Sequence, residues 1–221
     1  MASRHSRDER GFSMVELLVA MTIFGIITTA FYSILFSATD SAETTRAVTG
    51  ASNEARRGFN RLLRDTREAQ DVFDVSATTF TIENDFDGDG EIEALNETGS
   101  YERLTFTYVD PDVDELTGEV IVSNGVDSET LIAGVQCIPD PSGGCYPVFS
   151  FSSNDLTYDA NRNGVSSATE IDAAPTVGDG DGALDTAAEL RVIDTVSFMM
   201  GVSVDGRGER FYGAAQMRNS R

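Results

Sequence analysis

One stretch of the chain, DANRNGVSSATE from Asp159 to Glu170, carries residue types whose spacing could do chemistry. Asp159, Asn161 and Asn163 put side-chain oxygens at the first, third and fifth places, Gly164 allows a sharp turn at the sixth, and Glu170 stands at the twelfth. That is the pattern of a calcium loop, in which Val165 would add a main-chain carbonyl and Glu170 a bidentate carboxylate. A second stretch, DFDGDGEIEALN, repeats the opening with Asp85, Asp87, Asp89 and Gly90, followed by Glu91 in the seventh place. Its twelfth residue is Asn96, so Glu93 or Glu97 would have to replace the missing acid. A third, GDGDGALDTAAE, supplies Asp179, Asp181, Asp185 and Glu189 but no acid in the first position, and is expected to complete a neighbouring site or to be plain loop.

Asp, Asn and Gly are also the ordinary turn formers, and in an acidic chain such runs arise without a ligand. If the loops do hold calcium, their flanks read as strands rather than as paired helices, which points to a structural clamp and not a sensor. Millimolar affinity would then suffice outside cells, where calcium is plentiful. GDGDG is not a phosphate loop, because its acids would repel the phosphate and no Walker-type Lys follows.

Little else in the chain could run a reaction. The only histidine is His5, and neither G-x-S-x-G nor H-E-x-x-H occurs. Carboxylate pairs of the glycosidase kind could hide among 37 acids, but nothing in the sequence singles out such a pair, so no enzyme is expected. All 16 basic residues are Arg and the formal charge is −21, which disfavours binding to nucleic acid. From Asp71 to Arg221 there are 29 acids against 7 Arg, whereas Asp40 to Gln70 is nearly balanced with 5 acids and 6 Arg. The acidity therefore belongs to the C-terminal part.

At the other end, Phe12 to Phe36 is a 25-residue run with a single charge, Glu16. As a helix it is long enough to cross the ~30 Å hydrocarbon core of a bilayer. Before it lies MASRHSRDERG, with three Arg and two acids, which favours a cytoplasmic N-terminus and a C-terminal head on the far side. A secretory signal peptide would be shorter and followed by a small-residue cleavage site, whereas this run continues directly into a polar helix. An acid near the membrane is costly, so Glu16 calls for a partner.

RGFSMVELLVAMTIFGI resembles the leader and N-terminal helix of type IV prepilins and type II secretion pseudopilins: a short basic leader ending in Gly, an aromatic residue, then Glu at the fifth mature position. The resemblance implies cleavage after Gly11 and methylation of the new terminus at Phe12. It also implies that Glu16 of an incoming subunit pairs with the α-amino group of Phe12 on a neighbour already in the filament. A buried unpaired charge costs far more than a paired one, so pairing would couple subunit addition to register. Implied partners are other pilin or pseudopilin subunits, a prepilin peptidase/methyltransferase and an inner-membrane assembly platform. The implied location is the inner membrane with the head in the periplasm, then the pilus or pseudopilus.

The elements that must carry these groups can also be read. Val48, Ala51, Ala55, Phe59, Leu62 and Leu63 recur at steps of three and four, giving an apolar stripe on a helix that continues from Phe12 to about Gln70. RGFNRLLRDTREAQDV resembles the corresponding helix end of J-type pseudopilins and PilW-like minor pilins. Ser33 stands where major pilins usually have a kinking Pro, which moves the reading towards a minor pilin or pseudopilin. Beyond Asp71 the period becomes two, with strands expected at 79–83, 101–109, 119–123, 130–135, 148–151 and 192–204, and a last one in RFYGAAQMRNSR. That last stretch resembles the Arg-Asn terminus of the minor pilins.

The expected fold is therefore α+β and pilin-like, a long N-terminal helix packed on an antiparallel sheet. It divides into a cleaved leader (1–11), a transmembrane half-helix (12–36), an amphipathic half (37–70) and a β-rich head (71–221). Cys137 and Cys145, separated by IPDPSGG, would be oxidised in an exported head; a zinc pair is the alternative, but no His lies near. Two functions fit: a structural subunit that is incorporated in, or primes, a type IV pilus or type II secretion pseudopilus, and a calcium-stabilised adhesin displayed on a pilin-type anchor.

Overall fold

The computed structural model describes residues 13–85, 92, 102–109, 117–204 and 207–217. One helix, α1 (Met14–Glu68), runs through the N-terminal part, two residues inside the expected bounds at each end. The chain divides into two compact units between Ala47 and Val48.

In the first unit α1 is predominantly apolar on every side up to Phe36 and polar beyond it. Met14, Leu18, Phe24, Ile27, Phe31 and Ile34 are each more than half exposed. One 18-residue window reaches a mean hydropathy of 2.0, long and apolar enough to cross a membrane. The hydroxyls of Thr22, Thr28 and Thr29 donate back to the carbonyls of Val19, Phe24 and Gly25, each at 2.8 Å. These three donors are thus satisfied inside the helix, as a medium without water requires.

The second unit begins with the rest of α1, where Ala55, Phe59 and Leu62 of the expected stripe are inside, together with Gly58 and Thr66, and Val48, Ala51 and Leu63 are half-buried. The sheet is antiparallel throughout. A meander of β1 (Asp71–Val75), β2 (Thr79–Glu83), β3 (Arg103–Val109), β4 (Gly118–Ser123) and β5 (Ser128–Gln136) leads to the long β8 (Thr195–Val204). β5 pairs with one end of β8 through Val135 and Gln136, and β6 (Phe149–Ser153) pairs with the other end on the same edge. β9 (Arg207–Gln216) covers the opposite edge of β8 along its whole length. β7 (Ser166–Ser167) adds two residues to β6. The two short helices α2 (Ala168–Asp172) and α3 (Ala187–Leu190) follow β7 in the long excursion between β6 and β8.

The core lies between α1 and the sheet. Strand register sets Phe80 opposite Phe106 and Phe149 opposite Phe198. The four rings are almost wholly buried and meet at centroid distances of 4.9 Å (Phe80–Phe106), 4.9 Å (Phe80–Phe149) and 6.0 Å (Phe149–Phe198). Each such pair contributes about 0.5–1.5 kcal/mol beyond the burial of its area. Phe59 brings α1 into this cluster, 6.2 Å from Phe198 and 5.5 Å from Phe211. On the alternating β8, Val196, Phe198, Met200 and Val202 are the buried positions, as expected. Charged contacts pin the same helix at its margins, Arg61 to Glu129 of β5 at 2.8 Å and Arg56 to Glu209 of β9.

Candidate functional site

Gly11 and Phe12 lie outside the described residues. Ser13 immediately precedes α1, and its hydroxyl accepts from the Glu16 N–H at 3.2 Å while its own N–H donates to Glu16 Oε2 at 3.4 Å. This reciprocal arrangement is a capping box, and it places the carboxylate at the helix N-terminus, where the macrodipole favours negative charge. Glu16 is exposed. A second body can reach it.

In the head the loop from Asp159 to Glu170 brings its expected residues together. Asp159 accepts the N–H groups of Asn163 at 3.1 Å and Gly164 at 2.7 Å. Asn161 accepts from Asn163 at 2.9 Å, and Asn163 from Val165 at 2.9 Å. The side-chain oxygens at places one, three and five are thus turned inward on the loop by its own backbone. Arg162 has φ +60° and Gly164 +89°, the left-handed geometry that the tight turn needs. Glu170 is buried, accepts the Asn161 N–H at 3.1 Å, and takes both the N–H and the hydroxyl of Ser167, at 2.9 and 2.8 Å. Those donors, led by Ser167, hold its carboxyl below the ordinary range. The acid at place twelve therefore also caps α2, and the set offers only hard oxygen donors. Of the second loop, Asp85 is described, whereas Asp87, Asp89 and Glu91 lie outside the described residues.

The third loop is more crowded with charge than its sequence implies. Carboxylate oxygens of Asp172, Asp179 and Asp181 all lie within 4.8 Å of one another. Asp185 sits in their field: Asp181, then burial, then Asp179, Glu189 and Asp172 push its carboxyl above the usual range. Glu189 is fully buried; burial raises its carboxyl, but donors from Thr186, Asp185 and Asp179 outweigh that and leave it lowered. Asp172 is the residue that sequence reasoning missed. It lies seven places before Asp179, outside any loop pattern, and only the fold brings it in.

A family model, the prokaryotic N-terminal methylation motif, matches residues 6–32. The match supports a type IV pilin-type protein. With the long N-terminal helix and the antiparallel head, the architecture of this pilin-like chain is α+β, as expected. The motif implies processing by a prepilin peptidase and assembly with other pilins, and with the apolar helix it fits a membrane-anchored protein. No curated protein and no solved structure matches the chain. The pilin type is structural rather than enzymatic.

Cys137 and Cys145 form a disulfide with Cα atoms 5.6 Å apart. Inside the loop it closes, Asp140 accepts the Ser142 N–H and hydroxyl and the Gly144 N–H at 2.7–2.8 Å. Ser142 first and Gly144 next hold its carboxyl low. The bond closes a surface loop.

Proposed function

We propose that the chain is a minor pilin or pseudopilin, cleaved after Gly11, methylated at Phe12, and incorporated in, or priming, a type IV pilus or type II secretion pseudopilus. Residues 12–36 cross the inner membrane and the head from Asp71 onward stands in the periplasm before assembly. The observation that carries this reading is the methylation motif over residues 6–32, set on a helix whose apolar side chains are exposed on every face. Such a surface needs lipid in the precursor and other helices in the filament. Glu16, exposed and in a capping box with Ser13, is the group that would meet the terminal amine of a neighbour. The absence of Pro at Ser33 keeps α1 unbroken, in line with a minor subunit.

The head's Asp159–Glu170 loop holds calcium in this reading, with Asp159, Asn161, Asn163, the Val165 carbonyl and Glu170 as donors. The described geometry supports it, since the side-chain oxygens of Asp159 and Asn161 meet on one donor, the Asn163 N–H. The ion would clamp a long excursion of the sheet rather than signal.

The deciding experiment is expression of Glu16→Ala in the native host. The variant should insert in the membrane and lose its leader as the wild type does, yet be missing from sheared filaments or from the pseudopilus fraction. Incorporation at the wild-type level refutes the pairing role.

A further inference from the structure

Asp172 ends α2 with its side chain 7% exposed. Its Oδ2 accepts the Gly182 N–H at 3.2 Å, but its Oδ1 is buried and has no hydrogen-bond partner. A buried carboxylate oxygen without donor or cation is unfavourable, and native proteins rarely keep one without a reason. The same carboxylate converges with those of Asp179 and Asp181, both exposed, within 4.8 Å. We propose that Asp172, Asp179 and Asp181 form a divalent-cation site of the calcium type, with Asp172 supplying from outside the loop the acid that GDGDG lacks at its first place.

A comparison with the Asp159 loop shows why Asp172 fits that role. There, Gly164 donates to Asp159, Asn163 to Asn161 and Val165 to Asn163. Here, Gly182 donates to Asp172, Asp181 to Asp179 at 3.1 Å and Ala183 to Asp181 at 2.8 Å. The left-handed residues recur at the same places, Gly180 at φ +74° and Gly182 at +96°. Glu189 repeats Glu170, with one oxygen on the Asp179 N–H and the other on the N–H and hydroxyl of Thr186. Two things differ: the first acid arrives from a preceding helix, and Glu189 stands one place later in its loop than Glu170 does.

Gly178 makes that arrival possible. A Cβ there would stand 1.8 Å from the Asp172 carbonyl oxygen, so the loop crosses the end of α2 in a contact only glycine permits. The Gly180 N–H then donates to the same carbonyl at 3.0 Å and fixes Asp172 beneath the loop. Three carboxylates with no nitrogen or sulfur donor select a hard cation, and an irregular loop of this charge suits calcium better than the strict octahedron of magnesium.

The test is calorimetric titration of CaCl2 into the full-length chain in detergent micelles after removal of metal with chelator. Asp172→Asn is buried and could unfold the excursion, so the principal variant is the exposed pair Asp179→Asn/Asp181→Asn, checked for wild-type circular dichroism. The number of ions bound per chain should fall by one relative to the wild type. Asp159→Asn reports separately on the first loop: if it abolishes binding while the double variant leaves it unchanged, the second site is overturned and the first stands. The reverse result leaves the second site standing alone. A wild-type chain that binds no calcium, or a double variant with unaltered stoichiometry, overturns the proposal.

Discussion

Gly58 and Gly50 are both on α1, and the same substitution should move stability in opposite directions at the two. A methyl at Gly58 would lie 2.1 Å from the Leu131 carbonyl oxygen and 2.8 Å from Ile132 Cγ1. Relaxed carbon–oxygen contacts are about 3.3 Å, so α1 would have to lift off β5 by about 1 Å. The obstructing atom is main chain in a paired strand and cannot rotate away. Overpacking of this sort costs about 1–3 kcal/mol, and a backbone obstacle argues for the upper end. Against it stands the gain of about 0.5–1 kcal/mol from replacing glycine in a helix. The net for Gly58→Ala is a loss of about 2 kcal/mol, or about 4–8 °C in Tm for a domain of this size. A Cβ at Gly50 meets nothing within 4 Å, so Gly50→Ala keeps only the propensity gain and should not lower Tm. Thermal melts of both variants in the same detergent, followed by near-ultraviolet circular dichroism of the buried rings, give the comparison. Equal Tm for the two variants would refute the close approach of α1 to β5, and with it the account of how the helix seats on the sheet.

Other perturbations test separate parts of the head. The Ser52 hydroxyl first, then Arg56, hold the Glu209 carboxyl below its ordinary value, so its stabilising effect exists above the unfolded carboxyl pKa of about 4.3 and is lost as pH falls through the lower folded value. Glu209→Gln should therefore melt below the wild type at pH 7 and converge with it below about pH 4; a gap that persists or widens in acid contradicts this. Cys137→Ser opens a loop of sequence separation 8, which loop-closure entropy values at about 2–3 kcal/mol. Tm should fall by about 5–10 °C, and an unchanged Tm would mean the loop opens without the head.

The large features of this fold were legible because burial and period agree along them. The stripe through Ala55, Phe59 and Leu62 has one buried side, and β8 alternates without interruption. β1 escaped because it does not alternate. A register shift between Val72 and Asp74 breaks its period, and Phe73 turns outward, where Arg103 covers its ring at 3.9 Å. β7 has two residues, both serine, too few for any period. The short helices α2 and α3 also lie below the reach of periodicity, yet each begins with a readable signal, Ser167 with Glu170 and Thr186 with Glu189. Recognising those capping boxes would have placed Asp172 at a helix end beside the third loop. The loop motif at Asp159 was visible because all its donors lie within one stretch, whereas the proposed site at Asp172 draws on residues brought together by the crossing at Gly178 and the hydrogen bonds from Gly180 and Gly182.

The charge of the head now divides into two kinds of carboxylate. Glu170 and Glu189 are taken up by caps, Asp140 by its own turn, Asp194 by Asn154 and Thr195, and Asp65 by Arg61 and Arg64. Each is an anion whose partners are internal, so each is accommodated before any ligand arrives; Glu170 in addition belongs to the proposed calcium loop. Asp172 differs, because one of its oxygens is buried without a donor and its nearest companions are two more anions. Glu16 poses a related question at the other end of the chain: its carboxylate is exposed beside Ser13, and in the proposed membrane setting an unpaired charge is costly. In both places the monomer leaves a negative group that an external positive one would neutralise, a cation in the head and a sister subunit's terminus on the helix. On the proposed reading the buried Asp172 is tied to ion binding and the exposed Glu16 to assembly.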